Sequence, residues 1–400
     1  MKRTIWILFA AACLTMSLQS CQKGYDAFAH PPVNYEFNKG LISNIDSVLE
    51  ATYLVKASKD PLLSFRSWEG IPTIAADSLG KNIFIAWYSG GKGEGSGNYI
   101  TTSVSSTGGR SWSNDELVIY PKKASLRFFD PCLWRDNANN IWLFFTKSNT
   151  YWDGIAGVWA TKLTRKKDTI LNTPARRLFD GVMMNKPVYL SSLNDILYPV
   201  SLWNTPPTPP SKTGTFIYKS DVTANTPQFN SMIMYSSLKV PDNIRTFDEH
   251  QLVETNIPGH VLCFVRTKVG IYSCTSMDYG RTWSKLEPFK SVGLTADSRF
   301  HIKRLASGNL ILILNNNLSR SNMTVFMSTD NCLTWKYKLV VDTRDNTSYP
   351  DATQTSDGTI HMVYDWERYG NKSIYYARFN EDIIKSGNSK KIFISKVNNH

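Results

Sequence analysis

The chain is expected to fold as an all-β protein, a six-bladed propeller, on three observations. Short apolar runs of strand type recur in sets of three or four, about fifty residues to a set. One hairpin turn is repeated: Ser276, Asp278, Gly280 and Trp283 return as Ser328, Asp330 and Trp335, with Cys332 in the glycine place, and more weakly as Ser105, Thr107, Gly109 and Trp112. The composition, 42% hydrophobic and 12% aromatic over 400 residues, suffices for a large core and argues against disorder. A small sheet cannot bury both faces alone, so repeated sheets stack on their neighbours, and the closed form of the stack is a propeller.

The repeated turn has a mechanical logic. Ser276 and Asp278 bond to their own backbone, Gly280 supplies the positive φ of a tight hairpin, and Trp283 plugs the next strand into apolar surroundings.

Taken in order, the chain opens on a targeting segment. Lys2 and Arg3 precede an apolar run over residues 5–16, too short for a stable membrane anchor, and the run ends in Leu18-Gln19-Ser20-Cys21. Residues 1–20 resemble a bacterial lipoprotein signal, which implies cleavage before Cys21, a lipid on that thiol and a place in the bacterial cell envelope. An ordinary secretory signal is the alternative. Residues 21–58, with Pro31-Pro32 and no clear period, read as a linker. The propeller is expected over 59–385 as one domain, and residues 386–400 as a basic tail.

The first blade takes the runs 71–76, 82–88 and 99–104, separated by Ser78-Leu79-Gly80 and by a glycine-rich loop over 90–97, with 117–120 closing it. The next two take 131–134, 141–145 and 157–162, then 188–190, 196–202 and 215–219, with the proline cluster 205–210 as an exposed loop. The last three take 251–254, 260–266 and 270–275; 300–305, 310–315 and 322–328; and 351–354, 360–365 and 373–379. A strand from 22–59 or from Leu339-Val340-Val341 would close the ring.

The net charge of +12 is spread along the chain, as a solvated face or as an attraction for anionic glycans or a phospholipid surface. No nucleic-acid module is present, so nucleic acid is not expected as a partner. With Cys13 removed and Cys21 lipidated, Cys132, Cys263, Cys274 and Cys332 remain, in no zinc spacing. If the hairpin turns at Lys268-Val269, Cys263 and Cys274 face each other, as a disulfide or as two buried thiols.

The innermost strands of a propeller line its axis, so function shows as polar residues that interrupt them. Glu249 stands so on the fourth, Tyr349 and Asp351 on the sixth, with Arg266 and Arg320 on their own blades. Asp130, Asp153, Asp180, Asn185 and Lys186 fall at comparable places on the second and third. Trp68, Trp152 and Trp203 can stack on a sugar or fill the core, and His250 can act as a base or pack as a strand histidine.

The turn Ser276 to Trp283 is similar to the Asp box of the sialidase superfamily, and the likeness extends beyond it. Glu249 in Glu249-His250-Gln251-Leu252-Val253-Glu254 matches the family's glutamate, Arg266 and Arg320 match two of its three arginines, and Tyr349 in Ser348-Tyr349-Pro350-Asp351 matches its nucleophile. The resemblance implies a tyrosine that attacks the anomeric carbon, a glutamate that takes the phenolic proton, an acid that protonates the leaving oxygen, and arginines on a substrate carboxylate, with no cofactor. A neutral phenol avoids the repulsion that a carboxylate nucleophile meets at an anomeric centre already bearing a carboxylate. The planar guanidinium donates two parallel bonds to that carboxylate.

The N-terminal half departs from the pattern. Gly70-Ile71-Pro72 stands where the family has Arg-Ile-Pro, leaving Arg66, or else Arg127 or Arg299, to take that part. The acid falls on Glu94 in the glycine-rich loop. Losing a charge-assisted bond of roughly 1.5 to 3 kcal/mol implies a changed ligand: another ulosonic acid, a uronate or a substituted sialic acid. The expectation is an exo-acting glycoside hydrolase that removes a terminal acidic sugar from glycans. Tyr349, Glu249 and Glu94 would be catalytic, with Arg266, Arg320, Arg66, Asp351, His250, Asp130 and Lys186 on the substrate. The protein is expected as a lipid-anchored monomer. The alternatives are a uronate lyase using His250 or Tyr349, and a non-catalytic glycan-binding lipoprotein.

Overall fold

Each apolar run pairs with its neighbour in sequence, as short connections dictate, and in the computed structural model the runs form six antiparallel sheets around one axis. The structure describes residues 48–398 except 58, 61, 62, 64 and 65. The targeting segment, Cys21 and most of the linker lie outside them. The innermost strands, in ring order, are Glu69–Ala76, Leu126–Arg135, Val188–Leu190, Gln251–Glu254, His301–Arg304 and Thr347–Gln354. The all-β, six-bladed expectation holds. Cys263 and Cys274 face each other across the predicted hairpin, and both are thiols.

Ring closure differs from the expectation. Leu339 to Val341 belong to Tyr337–Asp342, the outer strand of blade 5, and Ala51–Val55 adds a fifth strand to the edge of blade 1. The tail expected over 386–400 is part of the fold in its described residues, 386–398: Phe393–Lys396 forms the outer strand of blade 6. Ser395 Oγ accepts from Trp112 Nε1 at 3.3 Å and donates to the Gly109 carbonyl at 2.7 Å, while Asn398 Nδ2 donates to Glu69 Oε2 at 2.7 Å. Val397 is buried with Ile74, Trp87 and Tyr376 in the core between blades 6 and 1. Those apolar contacts, and not the lysines around them, decide where the segment goes.

The repeated turns work as their residues imply. Ser276 Oγ accepts from Gly280 N and Asp278 Oδ1 from Thr282 N, both at 2.8 Å. Cys332, at φ 76°, keeps the geometry by donating its N–H to Ser328 Oγ at 2.9 Å, and Thr107 Oγ1 stands in for the carboxylate by accepting from Ser111 N at 2.9 Å. Trp283 Nε1 donates to Ser236 Oγ in the outer strand of blade 3, as Trp112 does to Ser395 in blade 6, so the turns of blades 4 and 1 fasten each to the blade before it, a bond that Trp335 Nε1 does not make among the described residues.

Three inner strands carry a bulge near their start. The register shifts between Gly70 and Thr73, between Phe129 and Cys132, and between Ser348 and Asp351. Ile71, Asp130 and Tyr349 sit there at φ 57°, 47° and 52°, each followed by a proline. Proline gives no N–H to the ladder, so the strand buckles at that point and re-aims the side chain before it. Blade 4 does the same just ahead of its strand, with Asp248 at 65° and Glu249 at 40°.

Inner strands that converge on an axis leave carbonyls there that need partners. Arg299, fully buried, donates to the carbonyls of Pro72, Tyr349, Met184 and Pro350 at 2.7, 3.1, 3.3 and 3.3 Å. Lys186 Nζ donates to the Ile74 and Leu133 carbonyls and to Asp351 Oδ2 at 2.7, 2.5 and 2.7 Å. Asp351 also accepts from Thr73 Oγ1 at 2.7 Å and pairs with His301 Nδ1 at 3.0 Å. Burial works against its ionisation, yet Lys186 and His301 hold its carboxyl well below the usual range.

Candidate active site

The bulge of blade 6 lifts Tyr349 out of the ladder and aims it at blade 4. Its Oη accepts from Arg266 Nη1 at 3.1 Å and donates to Glu249 Oε1 at 3.4 Å, and the same Nη1 holds Glu249 Oε1 at 2.6 Å. Arg266 Nε is fixed by Asp297 Oδ1 at 2.6 Å. Burial and the Glu249 carboxylate raise the proton affinity of Tyr349 against the pull of Arg266, Arg320 and Arg368, so the residue rests as a neutral phenol. Glu249 Oε2 is buried with no hydrogen-bond partner among the described residues. A recess beside Glu249 is lined by Asn185, Trp203, Phe247 and His250.

Three guanidinium groups surround the phenol, one from each of blades 4, 5 and 6. Arg266 ends the second strand of blade 4, Val261–Thr267; Arg320 follows the second strand of blade 5, Leu310–Asn315; Arg368 follows that of blade 6, Ile360–Trp366. The Cζ atoms of Arg320 and Arg368 each lie 5.1 Å from the centroid of the Tyr349 ring. Arg368 Nη1 also donates to Glu94 Oε1 at 3.1 Å. Asn98 shapes the loop that carries Glu94: its Nδ2 donates to the Gly90 and Gly93 carbonyls, both at 3.0 Å, and its Oδ1 accepts from Gly95 N at 2.7 Å.

Asp130 lies on the bulge of blade 2, 2% exposed. Burial pushes its carboxyl up to about 8, with Glu94 and Glu249 adding to the effect and Arg127 opposing it, so Asp130 keeps its proton at neutral pH.

Of the sequence-predicted residues, Tyr349, Glu249, Arg266, Arg320 and Glu94 fall together, and Asp130 lies within their field. Others do not join them. Arg66 is claimed by carboxylates of its own blade, Glu69 Oε1 at 3.1 Å and Asp115 Oδ2 at 2.7 Å, and does not stand in for the arginine missing at Gly70. Lys186 and Asp351 hold each other and the axial backbone. His250 is 1% exposed, its Nε2 lies 2.8 Å from the Phe216 carbonyl, and burial pulls its pKa down to about 4, so it is a neutral packed histidine. Trp68, Trp152 and Trp203 are buried in the core, Trp152 stacked on Trp203 at 4.6 Å. The residues missed are Arg368 and Asp297.

Solved structures agree with this propeller at the level of fold. The NanB sialidase of Streptococcus pneumoniae matches with a TM-score of 0.56 at 15% identity, over 79% of this chain and 67% of that one. The Hadza microbial sialidase Hz136 matches with 0.61 at 13%, over 79% and 66%. The chain thus spans about two thirds of the length of these sialidases. An alpha-L-arabinanase of Penicillium chrysogenum matches with 0.55 at 11%, over 79% and 94%. No curated protein matches the chain. The family model for the BNR repeat-like domain covers residues 81–362, and the chain belongs to that family.

Proposed function

We propose that the protein is an exo-acting, retaining glycoside hydrolase of the sialidase type that removes a terminal acidic sugar from a glycan. One observation carries this reading: the Tyr349 hydroxyl touches both a carboxylate able to take its proton and a guanidinium able to steady the phenolate. Tyr349 Oη attacks the anomeric carbon while Glu249 takes its proton, and Glu94 protonates the leaving oxygen. Glu94, now a carboxylate, then takes a proton from the water that cleaves the tyrosyl–sugar bond, the phenolate regains its proton from Glu249, and the anomeric configuration is retained. Arg320 and Arg266 face the space in which a sugar carboxylate would lie.

A panel of aryl glycosides of sialic acid, other ulosonic acids and uronic acids tests the proposal. At least one is expected to be hydrolysed with retention, and Tyr349→Phe is expected to lower kcat by about 1,000-fold or more. Full turnover in that variant overturns the nucleophile. Binding without turnover by the wild type makes the protein a glycan-binding lipoprotein, and an ultraviolet-absorbing unsaturated product makes it a lyase.

We extend the reading to the envelope, with the propeller tethered by a lipid on Cys21. In a bacterial host, Cys21→Ser is expected to move the protein from the membrane fraction to the soluble one. Unchanged fractionation would refute the anchor.

A further inference from the structure

We propose that Arg368 is the third arm of an anion clamp, that the absence of a side chain at Gly70 admits it, and that a ligand carboxylate takes Arg368 over from Glu94. The inference rests on the acidic-sugar reading of the site.

Gly70 and Arg368 lie on opposite sides of the seam between blades 1 and 6. A Cβ on residue 70 would stand 2.4 Å from Arg368 Cδ, 2.6 Å from its Cγ and 3.0 Å from Asp365 Oδ2. These carbons lie close to the backbone of Arg368 and cannot swing aside while its guanidinium stays at Tyr349. A side chain at 70 and Arg368 in this position therefore exclude each other. The arginine that the sequence lacks on blade 1 is replaced from across the seam, into the space that its absence opens.

The guanidinium is placed to receive an anion. Arg266, Arg320 and Arg368 come from three successive blades, in or after the second strand of each, and converge on one ring. Among the described residues, no hydrogen bond engages Arg266 Nη2, Arg320 Nη1 or Arg368 Nη2. Arg266 already has two carboxylates, Glu249 and Asp297, whereas Arg368 has an ion pair with Glu94 alone and Arg320 has none among the described residues. Buried Asp365, bonded to Ile71 N and Ser348 Oγ, already lends charge to both groups from behind, and a planar carboxylate between Arg320 and Arg368 would supply acceptors for their unengaged N–H groups. The exchange also releases the Glu94 carboxyl from its guanidinium as the sugar arrives.

The test compares the best sugar acid of the panel, as its aryl glycoside, with the methyl ester of the same glycoside, which keeps the shape and removes the charge. In Arg368→Gln the acid-to-ester ratio of kcat/KM is expected to fall by about tenfold to a hundredfold. Gly70→Ala is expected to lower the ratio in the same direction with Arg368 still present, because its methyl group displaces that side chain. The double variant Gly70→Arg/Arg368→Gly is expected to recover part of the ratio. Where Arg368→Gln melts too early to assay, Arg368→Lys keeps the charge, removes the fork and is read the same way. A ratio unchanged in the Arg368 and Gly70 variants, with a wild type that prefers the acid, overturns this inference and leaves the proposed function standing. A wild type that hydrolyses acid and ester alike overturns the acidic-sugar reading, and this inference with it.

Discussion

Two carboxyl groups stand where a proton donor is needed, and their surroundings differ. Glu94 sits on a loop with its carboxylate on Arg368, while Asp130 is buried and holds its proton to about pH 8. A donor to the leaving oxygen matters most when the leaving group is poor. Glu94→Gln is therefore expected to lower kcat by about 100-fold or more on a sugar leaving group and far less on an activated aryl one, whereas Asp130→Asn affects both alike. The opposite pattern, read from steady-state rates on the two substrates, assigns the donor to Asp130. Its raised folded-state pKa also sets a sign: the stability it contributes is complete below the ordinary carboxylate range and is lost as pH rises toward 8. Tyr349, Glu249, Arg266 and Arg320 were legible because short motifs carry them. Arg368 and the proton on Asp130 were not, because each depends on a neighbouring blade that no local stretch describes.

At the scale of the element, what was legible is what is local. The Ser276 to Trp283 turn closes on its own atoms, so spacing alone revealed it, and even Cys332 and Thr107 fit once the backbone geometry is kept. The inner strands were legible only from their second half. Pro72, Pro131 and Pro350 read as interruptions, so strands were expected to begin at 71, 131 and 351, yet they begin at Glu69, Leu126 and Thr347 and run through the proline by bulging. The bulge is the functional part of the strand: a regular ladder would return Tyr349 and Asp130 to the alternation of the sheet and aim them elsewhere. The outer strand Phe393–Lys396 was hidden for another reason. Lysines flank it in sequence, while part of the apolar core that it joins lies far away along the chain, in blade 1.

At the scale of the whole molecule, the blades are held at the axis by buried cations. Lys186 reaches from blade 3 to backbone carbonyls of blades 1 and 2 and to Asp351 of blade 6. Lys186→Met leaves the Asp351 carboxylate buried beside two unpaired carbonyls, and is expected to cost about 3 to 5 kcal/mol in thermal or denaturant unfolding. Adding Asp351→Asn is expected to return part of that loss. The folded-state pKa of Asp351 is depressed, so its contribution to wild-type stability is present above the ordinary carboxylate range and lost as pH falls through it, and the double variant should show a flatter acid limb. A double variant as acid-sensitive as the wild type would remove this cluster from the account.

The join between the first and sixth blades has a consequence for biosynthesis. Five blades find their strands as the nascent chain leaves the ribosome, but the sixth lacks its outer strand, and blade 1 lacks the Ser395 and Asn398 contacts, until residues 393–398 have been made. Until then the join rests on the inner strands, Glu69–Ala76 against Thr347–Gln354. Tyr349 and Arg368 sit on the last blade to be made, so their meeting with Glu249 and Glu94 is among the last contacts of the fold to form.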